Sequence, residues 1–250
     1  TVKRLRIFGY NYSPTYTGGH DDVGIESGWD VKVLLGTVPV EEDGSALFNV
    51  PANTPFAIQP LDADGAALQL MRSWLVGMPG ERLSCVGCHE TIQDAPPGRP
   101  STAMYRDPSP IEPCGGPVRP FGFLNEIQPL LDLRCVGCHD GQTPGPNGEP
   151  APQDLRHRPQ GRFGSSYAYL QQFIRRPGPE TDYHLLRPME FHAGTSELIQ
   201  ILKAGHYGVT LENAEWESLY AWIDLNVPFH GSVIEKCGGV CGDHWWKHDI

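Results

Sequence analysis

Several things are missing from this 250-residue chain, and each absence excludes something. No window holds the ~18–20 apolar residues that a spanning helix needs, so a membrane span is not expected. Lys and Arg number 19 against 30 Asp and Glu, a formal charge of −11, and no basic run interrupts that balance. A nucleic-acid partner is therefore not expected. No phosphate-binding loop, dinucleotide fingerprint or Ser-His-Asp arrangement occurs, and the carboxylates are scattered rather than paired. The opening residues Thr1-Val2-Lys3-Arg4-Leu5-Arg6 lack the apolar segment of a signal peptide.

Glycine and proline, by contrast, are plentiful, at 29 and 24 residues. Hydrophobic content is ordinary at 39%, which argues against disorder and for a globular chain with long, stiff connections. The seven cysteines are the most informative feature. Four of them lie in two identical pentapeptides, Cys85-Val86-Gly87-Cys88-His89 and Cys135-Val136-Gly137-Cys138-His139.

C-x-x-C-H is the attachment pattern of c-type haem. Two thiols at that spacing can form thioethers with the two vinyl groups of one porphyrin, and the adjacent imidazole reaches the iron. Two CxxC pairs can also make a four-cysteine zinc site. The stretch between them, residues 89–134, is far longer than a zinc ribbon uses, and zinc leaves the two histidines unexplained. Two covalently attached c-type haems are the expectation, with Cys85, Cys88, Cys135 and Cys138 as attachment points and His89 and His139 as proximal ligands. Covalent attachment implies an exported protein, periplasmic or extracellular, whose signal peptide is absent from this chain.

The sixth ligand of each iron decides between a closed electron-transfer site and an open catalytic one. His206 is the leading candidate at the second haem, because it follows Gly205 in a loop between two helices of the same module. His192 and His184, in a Pro-punctuated loop, and His20, beside Gly18-Gly19, are candidates that can reach the first. Cys114, Cys237 and Cys241 remain. In an oxidising compartment they allow a disulfide, and the odd total leaves one thiol over.

The fold expected is α+β and multidomain. Over residues 1–78, Leu5 and Ile7 alternate with Arg4 and Arg6, and Val31, Val33 and Leu35, then Ala46, Phe48 and Val50, then Phe56 and Ile58, repeat the period of two. A small antiparallel β-sandwich follows from these strands. Residues 79–120 carry the first motif and a Pro-rich strap. From 121 to 232 the period becomes helical. Phe123, Ile127, Leu130 and Leu131 lead into the second motif, with a kink or a helix start at Pro129. Ser165 or Ser166, Thr195 or Ser196, and Thr210 are the expected caps of three later helices, giving a cytochrome-c-like module. Residues 233–250 form a Cys/His/Trp tail.

Thr37-Val38-Pro39-Val40-Glu41-Glu42-Asp43-Gly44-Ser45, Val50-Pro51-Ala52-Asn53-Thr54-Pro55 and Leu70-Met71-Arg72-Ser73-Trp74 resemble a planctomycete-type family of large exported cytochromes. Met189-Glu190-Phe191-His192-Ala193, Gly205-His206 and Trp222-Ile223-Asp224-Leu225-Asn226 fit the same pattern, so that the resemblance covers nearly everything to about residue 231. That family is similar to the C-terminal, two-haem half of the hydrazine synthase alpha subunit. The resemblance implies a β domain with the first motif, a cytochrome-c domain with the second, and histidine on both faces of the second iron, which suits His206 or His192. One departure stands out. Where that subunit carries an iron-binding Tyr four residues after the first motif's His, this chain has Gln93, which puts hydrazine chemistry in doubt.

Together these readings give a dihaem electron-transfer protein with both irons six-coordinate. The alternatives are a redox enzyme with an open first haem, acting on peroxide or a nitrogen oxide, and a subunit of a larger or polymeric cytochrome assembly. Redox partner proteins, cationic ones among them, and a homo-oligomer or larger complex are the partners that fit.

Overall fold

The computed structural model describes residues 1–11, 23–27, 31–71, 73–86, 100–145, 147–178 and 186–231. Its architecture is mixed α+β. The described strands form one three-stranded antiparallel sheet, in the order β2-β1-β3, and a two-stranded ribbon. The sheet comprises β1 (Arg4–Asn11), β2 (Val31–Pro39) and β3 (Phe56–Leu61). β1 is the central strand, running from Arg4↔Pro39 to Asn11↔Val31 on one side and from Arg4↔Leu61 to Gly9↔Phe56 on the other.

Alternate side chains of a strand point to opposite faces, and here both faces are covered. Phe8, Tyr10, Leu34 and Ala57 join the helical core, with Phe123, Ile127, Tyr167, Ile199 and Trp222. Ile7, Val33, Leu35, Val38 and Phe56 pack on the other side against Phe48, Val50, Leu75 and Ile111. Among the described residues the second layer is not a further sheet. Ala46, Phe48 and Val50 give a single bridge, Phe48↔Ser109, rather than a strand, and the Pro-rich strap closes over β2 through Thr37↔Glu112. A strap with so few free N–H groups can contribute isolated bridges but not a ladder.

Double coverage also changes the meaning of Arg6. Alternation with Leu5 and Ile7 suggests a solvent-facing cation, yet Arg6 is buried. It is held by Gln59, Asp224 and the Gly65 carbonyl.

The helical part begins with a π-helical turn, Phe123–Ile127, that runs straight into α1 (Gln128–Arg134) with Pro129 in its first turn. Both expectations for Pro129 meet there. The wider turn precedes it and the regular helix starts at it, because proline's missing N–H costs nothing in a first turn. β4 (Pro159–Gln160) and β5 (Phe163–Gly164) make the ribbon that leads into α2 (Ser165–Leu170). α3 (Glu197–Lys203) follows Ser196, and α4 (Asn213–Asp224) completes the core. The cap of α4 is Glu212 rather than Thr210. Glu212 and Glu215 form a reciprocal capping box. Gly164, not a serine, precedes α2, and Ser196 makes no side-chain cap bond to α3. Among the described residues no helix is long and apolar enough to cross a membrane.

Candidate haem-binding site

The second pentapeptide continues α1 as one more helical turn. The amides of Cys135 and Val136 donate to Leu131 O, and those of Cys138 and His139 donate to Cys135 O at 3.1 and 2.9 Å. Residues three and four apart lie on one side of such a turn. Cys135, Cys138 and His139 therefore share a face, with neither thiol locked in a disulfide. Burial pushes the Cys135 thiol up to about 11, with the neighbouring Cys138 adding to the shift. It is a neutral thiol at physiological pH.

His139 is held from behind. Its Nδ1 lies 3.3 Å from Gln153 O, and the Leu155 amide donates to His139 O at 2.9 Å. The 153–155 segment is fixed in turn. Gln128 Nε2 donates to Leu155 O, Ser166 Oγ donates to Gln128 Oε1 at 2.6 Å, and Arg156 Nη2 donates to Asp140 O while Arg156 Nε binds Asp154. With Nδ1 committed to a carbonyl, Nε2 is the nitrogen left for a metal. Burial lowers the His139 pKa, and the nearby His206 lowers it further, which favours the neutral, ligating imidazole.

His206 is its ring neighbour. The two ring centroids are 5.9 Å apart and the rings are inclined by 32°. A metal–imidazole bond of about 2 Å on each side of one iron puts two such centroids about 6 Å apart. His206 owes its position to a tight loop after α3 in which Gly205, Tyr207 and Gly208 all have positive φ, at 93°, 46° and 79°. Glycine takes that conformation freely; tyrosine does not. A free thiol pair on one turn, an imidazole with one nitrogen spoken for and a second imidazole next to it together fit a c-type haem.

The remaining expected ligands are placed differently. Cys85 is exposed at the end of a described stretch, while Cys88, His89, His20, His184, Gln93 and the tail with Cys237 and Cys241 lie outside the described residues. His192 is 2% exposed and sits at φ 86°. Its Nε2 has no hydrogen-bond partner, and burial lowers its pKa against the opposing pull of Asp224. No ring contact joins it to His139 or His206 among the described residues. No cluster of three or more His, Cys, Asp or Glu suited to a metal ion occurs among them either. Gln153, Gln128 and Tyr207 carry no functional signal in the sequence. The first acts through its backbone, and Gln128 lies within an apolar stripe that gives no hint of a polar role.

Comparison with known proteins bears on the other end of the chain. Residues 1–90 match the family model of the hydrazine synthase alpha subunit middle domain. That span includes the sheet and the first pentapeptide. Among solved structures, hydrazine synthase from Kuenenia stuttgartiensis is similar, with a TM-score of 0.63 at 18% identity over 92% of this chain and 40% of that one. At that identity the likeness shows the fold, and this chain spans two fifths of that chain's length. No curated protein matches.

Proposed function

We infer that the chain is a dihaem c-type cytochrome that transfers electrons outside the cytoplasm, in a redox system related to that of hydrazine synthase. The observation that carries this reading is the neighbouring pair His139 and His206 at 5.9 Å, beside two free thiols on one helical turn. Cys135 and Cys138 would hold the haem group covalently, and His139 and His206 would bind its iron. When bound, each haem supplies a one-electron redox centre. The protein's part is to fix ligand geometry in advance and so keep reorganisation small. Gln153 O orients the His139 ring, and the clamp of Arg156, Asp154 and Asp140 O holds the carbonyl segment in register.

The helical portion from residue 121 is read as a cytochrome-c-like module around this site, and the N-terminal portion as a β domain bearing the first haem at Cys85, Cys88 and His89. The match over residues 1–90 to a subunit named for hydrazine synthesis favours a second reading for that first haem, an open catalytic site. Gln93 in place of the expected tyrosine weighs against it.

Optical and EPR spectra of the purified protein, with a haem count per chain, test the proposal. Two haems per chain and two low-spin ferric signals are expected. One haem per chain, or a high-spin signal that His206→Ala leaves unchanged, overturns it. One low-spin and one five-coordinate haem selects the enzymatic reading.

A further inference from the structure

Tyr207 occupies a position that its chemistry does not favour. At φ 46° it lies in the left-handed region, where a β-carbon costs free energy, in a loop already carrying Gly205 and Gly208 in the same region. Burial does not repay that cost, since the side chain is 60% exposed. Its ring contact among the described residues is with His206, at 5.0 Å between centroids and 81° between planes. A strained residue that neither fills the core nor stabilises a regular element, but places an aromatic ring at right angles to a metal-ligand candidate, suggests a local task.

We propose that Tyr207 is a positioning residue for the second haem site, its ring fixing the rotation of the His206 imidazole and so the 32° angle between the two ligand planes. This rests on the reading of His139 and His206 as an axial pair. The His206 ring is free to turn about its Cα–Cβ and Cβ–Cγ bonds unless something blocks it. Among the described residues two rings adjoin it, His139 at 5.9 Å and Tyr207 at 5.0 Å between centroids. Edge-to-face contact is the preferred geometry of two such rings and is worth a factor of about 2 to 12 in a two-state equilibrium. The same contact resists the outward swing that would free the sixth position. The phenol hydroxyl has no part in this, so phenylalanine should serve equally well.

The test uses the haem-loaded full chain with three variants, and it reads two things: the low-spin ferric EPR g-values and the rate at which the reduced protein binds CO. His206→Ala comes first. It should abolish one low-spin signal and thereby assign that signal to the second haem; if no signal is lost, the axial-pair reading fails and the proposal with it. Tyr207→Gly relieves the backbone strain while deleting the ring, so it should fold at least as well as the parent. Its assigned signal should shift in g-anisotropy, and CO binding at the second haem should accelerate about 2- to 12-fold. Tyr207→Phe should restore the parent's values on both counts. Unchanged g-values and CO rate in Tyr207→Gly, at full haem content, overturn the proposal while leaving the axial pair intact. A change in Tyr207→Phe equal to that in Tyr207→Gly also overturns it, because the hydroxyl would then be the active part.

Discussion

Arg6 Nη1 donates to Asp224 Oδ2 at 2.9 Å, with side-chain exposures of 3% and 0%. The same carboxylate accepts the amides of Ala67 and Ala193, so one buried group ties β1, the turn after β3 and the segment before α3 to the end of α4. A buried charge pair contributes little relative to apolar packing, but breaking it strands the survivor. Asp224→Ala is expected to cost about 3–5 kcal/mol in guanidinium denaturation. Arg6→Met combined with Asp224→Leu should recover part of that loss, since no charge is then uncompensated. The part due to the two amides should remain. An unchanged denaturation midpoint in Asp224→Ala would show that the pair is not holding the layers together.

Tyr167 joins segments that the sheet does not reach. Its hydroxyl donates to Val227 O at 2.7 Å and accepts from the Ile25 amide at 3.0 Å, from a fully buried position. Tyr167→Phe leaves a donor and an acceptor unsatisfied, with an expected loss of about 1–3 kcal/mol. Amide hydrogen exchange supplies a local check, since the Ile25 N–H should lose its protection while β1 retains its own.

Gly36 sits at the irregular step of the β1–β2 ladder, where Ile7 pairs with Gly36 and Phe8 with Leu34. Its φ is +143°, and a β-carbon there would stand 2.2 Å from Glu112 O. Glu112 is the strap residue that exchanges two hydrogen bonds with Thr37. Gly36→Ala should therefore destabilise by more than about 1 kcal/mol. It should also raise the exchange rate of the Glu112 amide first. A thermal melt matching the parent would mean that the strap gives way without consequence.

Cys114 packs half-buried against the core, and burial raises its thiol pKa, with Arg6 nearby pulling the other way. A raised pKa means less thiolate at any given pH. Alkylation by iodoacetamide, followed residue by residue by mass spectrometry, should be slow in the native protein and should climb only above the usual thiol range of about 8.5. Fast labelling at pH 7 would contradict this.

Local patterns were legible in the sequence and distant pairings were not. The helix entering the second pentapeptide rests on residues a few positions apart, and α1, α3 and α4 lie where periodicity puts them. Arg6 reads as a solvent-facing residue because its partner is 218 positions away. The Ala46–Val50 alternation reads as a strand because nothing in the sequence tells that its neighbour is a proline-rich strap. Thr210 reads as the better cap in sequence because glutamate caps a helix less often than threonine does, yet Glu212 holds the position. Gln153 acts through a carbonyl that every residue possesses, so no side-chain signal could have found it.

The central place of β1 has a kinetic side. Its two neighbours follow within the first 61 residues, yet the guanidinium on its inner face is not neutralised until α4 arrives. Closure across so long a loop is slow relative to local helix formation. During that interval the turn bearing Cys135 and Cys138 can already exist while the core beside it stands open. Until the core closes, the two free thiols on that turn stand open to solvent.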